Sequence, residues 1–229
     1  MWNTEISTYF SGQGPALLLL DLDGTLIDSV PDLAAAVDSM LVALGDQPVG
    51  TEAVSQWVGN GANMLVRRAL ARGNEAIAIS LSQDLVESAR VHFDQAYLKT
   101  LHHATGAFAG VNEFLAEVRT LKVLITNKPR MFTEPLIASL GWTEYFSFMV
   151  CGDDLAEKKP SPAPLLHACS MLAIDPSRAL MIGDSRHDIQ AAQAANIASV
   201  AVTYGYNHGD DVRDSNPDWV VDRLQQLLA

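Results

Sequence analysis

The chain of 229 residues is 48% hydrophobic and 18% charged, which predicts a folded protein with a sizeable core and argues against wholesale disorder. Its formal net charge of −12 disfavours nucleic acid and anionic lipid as partners, because both carry dense negative charge. We therefore expect no nucleic acid and no membrane among its partners, and the apolar runs are too short to cross a bilayer.

The first predicted strand is the apolar run Ala16 to Leu20, which is followed directly by Asp21 and Asp23. In open α/β sheets, ligands bind at the carboxyl ends of the strands. Two acids one residue apart repel each other, and packing gives no reason for them. Their position indicates a cation shared by both and a reaction that uses a carboxylate.

A long stretch without a convincing strand comes next, and it is too long for a loop in a compact domain. Its apolar spacing predicts helices over residues 29–44, 62–72 and 82–98. Ser29 is the expected cap of the first of these, with Asp32 three residues on in a capping box. We predict that residues 29–104 form a helical cap, and that residues 1–28 and 105–229 form the α/β core.

The second half of the chain alternates predicted strands and helices. The strands are Lys122 to Ile125, Phe148 to Val150, Ala179 to Ile182 and Ser199 to Val202. The helices are residues 111–119, 131–140 with Thr133 as a candidate cap, 163–172, 186–195, and a short tail helix over 223–228 capped by Asp222. This alternation predicts an α/β fold: a doubly wound parallel sheet, or Rossmann-like core, with a helical cap inserted after the first strand.

The cysteines and the basic residues bear on location. Cys151 and Cys169 have no metal-type spacing, so we expect reduced thiols. The first Lys or Arg is Arg67, so the sequence lacks the basic start of a secretory signal. These features predict a cytoplasmic protein, and they leave open whether it is a monomer or a homodimer.

Polar residues follow two of the later strands. Thr126-Asn127-Lys128 comes after the second strand and Gly183 to Asp188 after the fourth, while Lys158-Lys159 lies in a separate loop. Taken singly, each has a simple explanation, since Asp184 or Ser185 can cap a helix and adjacent lysines are usually solvated. Their order on this architecture favours a common site.

These motifs resemble those of the haloacid dehalogenase superfamily of phosphohydrolases. Asp21-Leu22-Asp23-Gly24-Thr25-Leu26 is similar to its first motif, Thr126 to its second, Lys159 to its third, and Gly183-Asp184 through Asp188 to its fourth. The predicted helical insertion after the first motif matches the family's helical cap. The resemblance spans nearly the whole chain.

The resemblance implies a reaction on a small-molecule phosphate ester. Asp21 would be the nucleophile and form an aspartyl-phosphate, and Asp23 would act as general acid and then as general base. Mg²⁺ would be held by the Asp21 and Asp184 carboxylates and by the main-chain carbonyl of Asp23.

The same resemblance assigns the remaining site residues. Thr126, Asn127 and Lys159 would bind the phosphoryl oxygens and stabilise charge in the transition state. Asp188 would interact with the metal indirectly, through water or through a neighbouring ligand. Each of these assignments is an expectation from matched motif positions.

Several segments resemble one subgroup, the phosphoglycolate phosphatases. They are Pro31 to Ala36, Gln56 to Ala62, Thr126 to Pro129, Gly183 to Arg186 and Thr203 to Gly209. The implied reaction is 2-phosphoglycolate plus water giving glycolate and phosphate.

Within the cap, Gly59-Asn60-Gly61 is a candidate substrate loop, and a tight turn between helices explains the glycines equally well. Nearby Arg67 and Arg68 are interpreted as a solvated helix face, and contact of one arginine with the substrate carboxylate is the less favoured alternative. His187 and His208, outside the cap, are interpreted as polar surface residues.

Other activities share the same core. A phosphomutase of the β-phosphoglucomutase kind would use the same acids and return the phosphate to a sugar, and a broad-specificity sugar-phosphate or pyrophosphate hydrolase is a further alternative. A dehalogenase is disfavoured because it needs no acid at the Asp23 position and no metal. A non-enzymatic binding role predicts loss of a catalytic carboxylate, and all of them are present.

Overall fold

The first strand, β1 (Leu17–Leu20), lies at the centre of a six-stranded parallel sheet in the computed structural model, which describes residues 1–229 except for the side chain of His208. Its four leucines are all 0% exposed. Leu18 and Leu20 pack into the hydrophobic cluster on one face of the sheet, and Leu17 and Leu19 into the cluster on the other. A continuous apolar run is what a strand covered on both faces requires.

The remaining strands complete this sheet and form a small second one. They are β2 (Ile27–Asp28), β3 (Gly106–Ala107), β4 (Leu121–Ile125), β5 (Phe148–Val150), β6 (Ala179–Gly183), β7 (Ala198–Val202) and β8 (Trp219–Val221). The order in the main sheet is β5-β4-β1-β6-β7-β8, and every pair in it is parallel. The predicted α/β fold with a doubly wound parallel sheet is confirmed.

The helices connect these strands. They are α1 (Thr4–Tyr9), α2 (Val30–Ala43), α3 (Gly50–Ser55), α4 (Ala62–Leu70), α5 (Glu75–Ser80), α6 (Gln83–Thr100), α7 (Val111–Glu117), α8 (Arg130–Ser139), α9 (Ala163–Met171) and α10 (Arg186–Ala194). No helix among the described residues combines the length and the apolar character that crossing a bilayer needs. Cys151 and Cys169 are buried free thiols.

The helical insertion leaves and re-enters the core at one place. Helices α2 to α6 lie between β2 and β3, and these two short strands pair antiparallel, with Asp28 opposite Gly106. Sequence patterns do not show this pair, because two residues are too few to establish a strand period. The division into domains at residues 28/29 and 104/105 stays a prediction.

The expected capping box at the start of α2 is wrong. Ser29 occupies the N-cap position, but its hydroxyl donates to Asp23 Oδ1 at 2.5 Å. Ser29 has φ −102° and ψ −4°, not the extended backbone typical of a capping residue, which explains why its hydroxyl does not accept from the helix N–H groups. Asp32 instead accepts from the main-chain N–H groups of Ala104 and Thr105, at 3.0 and 2.8 Å, and so ties α2 to the segment that leads into β3.

Two other predicted caps are also wrong. Thr133 lies inside α8, and its hydroxyl donates back to the Pro129 carbonyl at 3.0 Å. The tail forms a short 3₁₀ helix, Leu224–Leu227, whose N-cap is Arg223, and the Asp222 carboxylate accepts from the Thr203 hydroxyl at 2.6 Å instead of capping the helix. The edge strand β8 was not predicted because it has only three residues, which are flanked by acids.

Candidate active site

The site lies where the central strands of the sheet end. Asp21 follows β1, Thr126 follows β4 and Asp184 follows β6. Because β4 and β6 flank β1 on its two sides, parallel pairing brings these three positions to one edge. The sheet therefore brings together residues that are far apart in the sequence.

Three carboxylates meet there in a buried cluster. Asp21, Asp184 and Asp188 each offer an oxygen, and these oxygens lie within 4.8 Å of one another. Lys159 Nζ donates to Asp21 Oδ1 and to Asp188 Oδ1, each at 2.6 Å, and to the Ile125 carbonyl at 2.7 Å. One ammonium cannot balance three carboxylates, so the cluster carries excess negative charge when ionised.

The burial and the excess negative charge of the cluster raise the pKa values of two of its carboxyl groups. Burial raises the pKa of Asp21 well above its ordinary value, the charge of Asp188 raises it further, and Lys159 opposes the shift. Burial, followed by the charge of Asp188, raises the pKa of Asp184 to about 7. A bound divalent cation would supply the missing positive charge.

The surroundings of Asp184 fit such a cation. Thr25 Oγ1 donates to one carboxylate oxygen at 2.9 Å and the Tyr206 N–H to the other at 2.8 Å, which fixes the orientation of the group. A Cβ added at Gly24 or at Gly205 would overlap Asp184, so glycine is required at both positions for the backbone to approach this closely. Buried, oriented carboxylate oxygens are the donors that hard cations such as Mg²⁺ prefer.

Asp188 is held from two directions. Its Oδ2 accepts from the N–H and the hydroxyl of Ser185, at 3.1 and 2.8 Å, and its Oδ1 accepts from Lys159. The carboxylate thus caps the start of α10 and fixes the ammonium of Lys159 beside Asp21.

Asp23 points into a cleft beside this cluster and contacts a cation of its own. Its Oδ1 accepts from the Ser29 hydroxyl and from Lys128 Nζ, the latter at 2.8 Å. Burial alone would lower the pKa of Lys128, but the charge of Asp23 and the hydroxyl group of Tyr97 raise it above its ordinary value, so the side chain stays cationic. No role was predicted for Lys128 from the sequence, although it stands directly after Thr126 and Asn127.

Thr126 and Asn127 link the end of β4 to its neighbours. Thr126 is buried, and its Oγ1 accepts from the N–H of Lys128 at 3.1 Å. The side-chain Nδ2 of Asn127 donates to the carbonyls of Gly59 and Lys159, at 3.1 and 3.0 Å. Asn127 therefore connects the predicted cap loop to the loop that carries Lys159.

The loop of residues 59–61 lies against the core. Asn60 Nδ2 is 2.8 Å from Nε2 of His187, and the Asn60 carbonyl accepts from Lys158 Nζ at 2.9 Å. Arg68 Nη1 donates to Asn60 Oδ1 at 2.9 Å. Gly61 has φ +83°, and a Cβ there would lie 2.9 Å from the Asn127 carbonyl, so only glycine suits this contact.

Two of the simpler interpretations are wrong. Arg68 is buried, not solvated, and pairs with Glu75 at 3.0 Å. His187 is buried rather than on the surface, and burial lowers its pKa to about 4. The other interpreted histidine, His208, has a side chain outside the described part of the structure.

A cleft of about 480 Å³ opens between the insertion and the end of the sheet. Gly59, Gly61, Asp21, Asp23 and Thr126 line its polar side. Its other side is apolar and is lined by Leu33, Val58, Leu65, Phe93, Tyr97 and Phe132.

The comparison with known families agrees with this geometry. Residues 18–202 match the model of the haloacid dehalogenase-like hydrolase family. The matched segment contains the acids after β1, the lysine loop and the start of α10. The chain belongs to the haloacid dehalogenase-like hydrolase family.

Similar proteins within the family carry a more specific name. A phosphoglycolate phosphatase of Pseudomonas putida is 47% identical over 222 residues, which are 96% of this chain and 80% of that protein. A phosphoglycolate phosphatase of Nitrosococcus oceani is 45% identical over 216 residues, covering 93% of this chain and 95% of the relative. A crystal structure described as a predicted phosphoglycolate phosphatase from Haemophilus somnus 129pt has a TM-score of 0.84 and 34% identity, covering 90% of this chain and 93% of the other.

Proposed function

We propose that the protein is a magnesium-dependent phosphatase that hydrolyses 2-phosphoglycolate to glycolate and phosphate through an aspartyl-phosphate on Asp21. The observation that carries the proposal is the buried cluster of Asp21, Asp184 and Asp188 around Lys159, which adjoins the cleft. The phosphoglycolate phosphatases of P. putida and N. oceani support the choice of substrate, because they match nearly the whole chain.

Two acids that line the cleft carry the covalent steps. Asp21 attacks phosphorus, forming an acyl phosphate as the bond to the ester oxygen breaks. Asp23 donates a proton to the departing oxygen, so glycolate leaves as the alcohol. Asp23 then accepts a proton from the water that attacks phosphorus, and the Asp21–phosphate bond breaks to release phosphate.

Three residues hold the phosphoryl group for this attack. The ammonium of Lys159 is held by Asp188 and the Ile125 carbonyl, and its third N–H, which donates to Asp21 Oδ1 at 2.6 Å, can turn to a phosphoryl oxygen once Asp21 attacks phosphorus. The Thr126 hydroxyl contributes a second donor at the end of β4. The side-chain amide nitrogen of Asn127 already donates to two carbonyls, so we assign the contact of Asn127 with phosphate to its main-chain N–H.

Mg²⁺ would be held by the carboxylates of Asp21 and Asp184 and by the main-chain carbonyl of Asp23. When bound, it would offset the negative charge of the cluster and stabilise charge on the phosphoryl oxygens. Asp188 would contribute indirectly, by holding Lys159 beside Asp21. Thr25 fixes the orientation of the Asp184 carboxylate by a hydrogen bond, and Gly24 and Gly205 leave room for it.

The cap loop of Gly59, Asn60 and Gly61 closes the substrate side of the cleft. Gly59 and Gly61 line it directly, while the Asn60 side chain connects the loop to His187. A closed loop excludes water from the phosphoryl group and limits the size of the leaving group. The predictions of a cytoplasmic location and of a monomer or homodimer rest on the sequence alone.

A panel of phosphate esters tests this function. The panel compares kcat/KM in Mg²⁺ for 2-phosphoglycolate, glucose phosphates, pyrophosphate and p-nitrophenyl phosphate, with EDTA and with Asp21→Asn as controls. We expect 2-phosphoglycolate to rank first, EDTA to stop turnover reversibly, and Asp21→Asn to be inactive while folded. A flat profile contradicts the substrate, net transfer of phosphate between sugar positions favours the phosphomutase, and full activity in EDTA contradicts the metal.

A further inference from the structure

The cleft contains a cationic side chain, Lys128, that has no role in the proposed reaction steps. Among the described residues that line it, Lys128 is the one cationic side chain, and it is 5% exposed. Lys159 is committed to Asp21 and Asp188 on the other side of the nucleophile. Lys128 lies just beyond the end of β4 and lines the cleft together with Thr126 and Asn127.

The neighbours of Lys128 place its ammonium close to the expected leaving oxygen. Its Nζ lies 2.8 Å from Asp23 Oδ1 and 4.9 Å from the centre of the Tyr97 ring. Asp23 is the residue that protonates the ester oxygen in the proposed reaction. A group attached next to that oxygen therefore comes within reach of Lys128.

Tyr97 adds a second donor in the same place. It is 1% exposed and lines the cleft, and its Oη lies close enough to the Lys128 ammonium to interact with it, while no acceptor for its own O–H is found among the described residues. Burial raises the pKa of Tyr97 to about 12, so the hydroxyl keeps its proton and can donate. A buried O–H without an acceptor is costly, which is expected where a ligand supplies the acceptor.

Because much of the cleft lining is apolar, a substrate carboxylate needs the two donors, Lys128 and Tyr97, to bind there. A carboxylate that enters a cleft lined by Leu33, Val58, Leu65, Phe93 and Phe132 loses its water, and it needs a cation and hydrogen bonds to replace it. In 2-phosphoglycolate a single methylene separates the ester oxygen from the carboxylate. An ammonium that contacts the acid serving the ester oxygen is thus placed to reach that carboxylate too.

We propose that Lys128, with the Tyr97 hydroxyl, binds the carboxylate of the substrate and makes the enzyme selective for short phosphorylated hydroxy acids over uncharged phosphate esters. This inference rests on the proposed phosphatase function and names the residues that select its substrate. On binding, the ammonium is shared between Asp23 and the carboxylate. Loss of Lys128 should therefore change the selectivity between substrates more than it changes the rate of the chemical step.

The test compares two esters of equal length. 2-Phosphoglycolate carries a carboxylate where 2-hydroxyethyl phosphate carries an uncharged hydroxymethyl group. For the wild type and for Lys128→Met, kcat/KM is measured on both. We expect Lys128→Met to reduce the ratio of the two values by about 10- to 100-fold, the size of a lost charged hydrogen bond. An unchanged ratio, with both substrates slowed equally, would show that Lys128 only positions Asp23 and would overturn the proposal.

Two further variants complete the design. Lys99→Met removes the same charge from an exposed position on α6, outside the cleft, and should leave the ratio unchanged. Tyr97→Phe removes one oxygen and keeps the ring beside Phe93 and Phe132, so it tests the same subsite if Lys128→Met fails to fold. We expect Tyr97→Phe to lower the ratio about 3- to 10-fold. An unchanged ratio removes Tyr97 from the subsite.

The wild-type data separate this inference from the proposed function. If the wild type hydrolyses neither ester, the phosphatase function fails. If it hydrolyses both equally well, the choice of substrate fails and the subsite fails with it. If it prefers 2-phosphoglycolate and Lys128→Met keeps that preference, only the assignment of the carboxylate to Lys128 fails.

Discussion

Asn60, in the loop before α4, and His187, in the first turn of α10, lie 2.8 Å apart between Nδ2 and Nε2. The contact joins the helical insertion to the element that carries Asp188. Arg68 and Lys158 hold Asn60 from two other directions, so the loop is fixed from both the insertion and the core. This arrangement fixes the loop of residues 59–61 at the edge of the cleft that Asp21 also lines.

A double-mutant cycle measures the contribution of this contact to catalysis. His187→Ala should lower kcat/KM by about 3- to 10-fold, because it removes one partly buried hydrogen bond worth about 1 kcal/mol, and Asn60→Ala should lower it at least as much, because it also removes the acceptor of Arg68 Nη1. If the two residues act through each other, the double variant should be little worse than Asn60→Ala alone. Steady-state kinetics on 2-phosphoglycolate gives the coupling, and fully additive losses would mean that the residues act independently.

Gly205 should be required for metal binding. An added Cβ would overlap the side chain of Asp184, so Gly205→Ala must displace this carboxylate. We expect at least a tenfold higher Mg²⁺ requirement and a loss of activity at low Mg²⁺. Gly106→Ala is the matched control, because a Cβ at Gly106 has no described atom within 4 Å. Metal titrations of activity that coincide for Gly205→Ala and the wild type would contradict the placement of Asp184.

The stabilisation by Mg²⁺ should increase with pH. In the metal-free protein the pKa of Asp184 is raised from 3.8 to about 7, so ionisation of the folded state costs stability progressively between these values as pH rises. Protons therefore compete with the cation below about pH 7. The effect of His187 on stability has the opposite sign to that of Asp184. Because its pKa is lowered to about 4, the folded protein loses stability as pH falls from 6.5 toward 4. That contribution is present with and without metal and cancels in the difference.

Thermal melts with and without Mg²⁺, at about pH 5.5 and pH 8, check this expectation. The rise in Tm on adding Mg²⁺ should be clearly larger at the higher pH. Asp184→Asn should abolish most of the rise at both values. An equal rise at both pH values in the wild type would contradict the assignment of the cation to this cluster.

Asp32 should stabilise the junction of the insertion with the core. Its carboxylate accepts from the N–H groups of Ala104 and Thr105, and removing it leaves these donors without that partner. We expect Asp32→Ala to lower the free energy of unfolding by about 1–3 kcal/mol. Asp84→Ala, at an exposed position in the first turn of α6, should stay within about 1 kcal/mol of the wild type in the same urea titration.

The sequence predicted the elements whose residues repeat a clear pattern. The leucines of β1 are buried on both faces, and this is why they form an uninterrupted apolar run with Asp21 at its end. Since parallel strands end at one edge, Thr126 and Asp184 could be placed beside Asp21 without coordinates. This part of the site could therefore be predicted from the motif residues and the order of the strands.

Other features depend on contacts that no local pattern records. The Ser29 hydroxyl turns from the helix it precedes to Asp23, because the fold brings a carboxylate within reach. The burial of Arg68 follows from its pairing with Glu75 and Asn60, and its spacing alone is typical of a solvated helix face. The position of Lys128 over Tyr97 likewise depends on how α6 packs against the core.

The most direct measurement is to locate the phosphate on the protein during turnover. The enzyme is mixed with 2-phosphoglycolate and Mg²⁺, quenched in acid within one turnover, and digested for mass spectrometry, with Asp21→Asn treated in parallel. Our account predicts a phosphorylated Asp21 in the wild type and none in the variant. Phosphate on another residue, or turnover with no phosphorylated protein at any quench time, would contradict it.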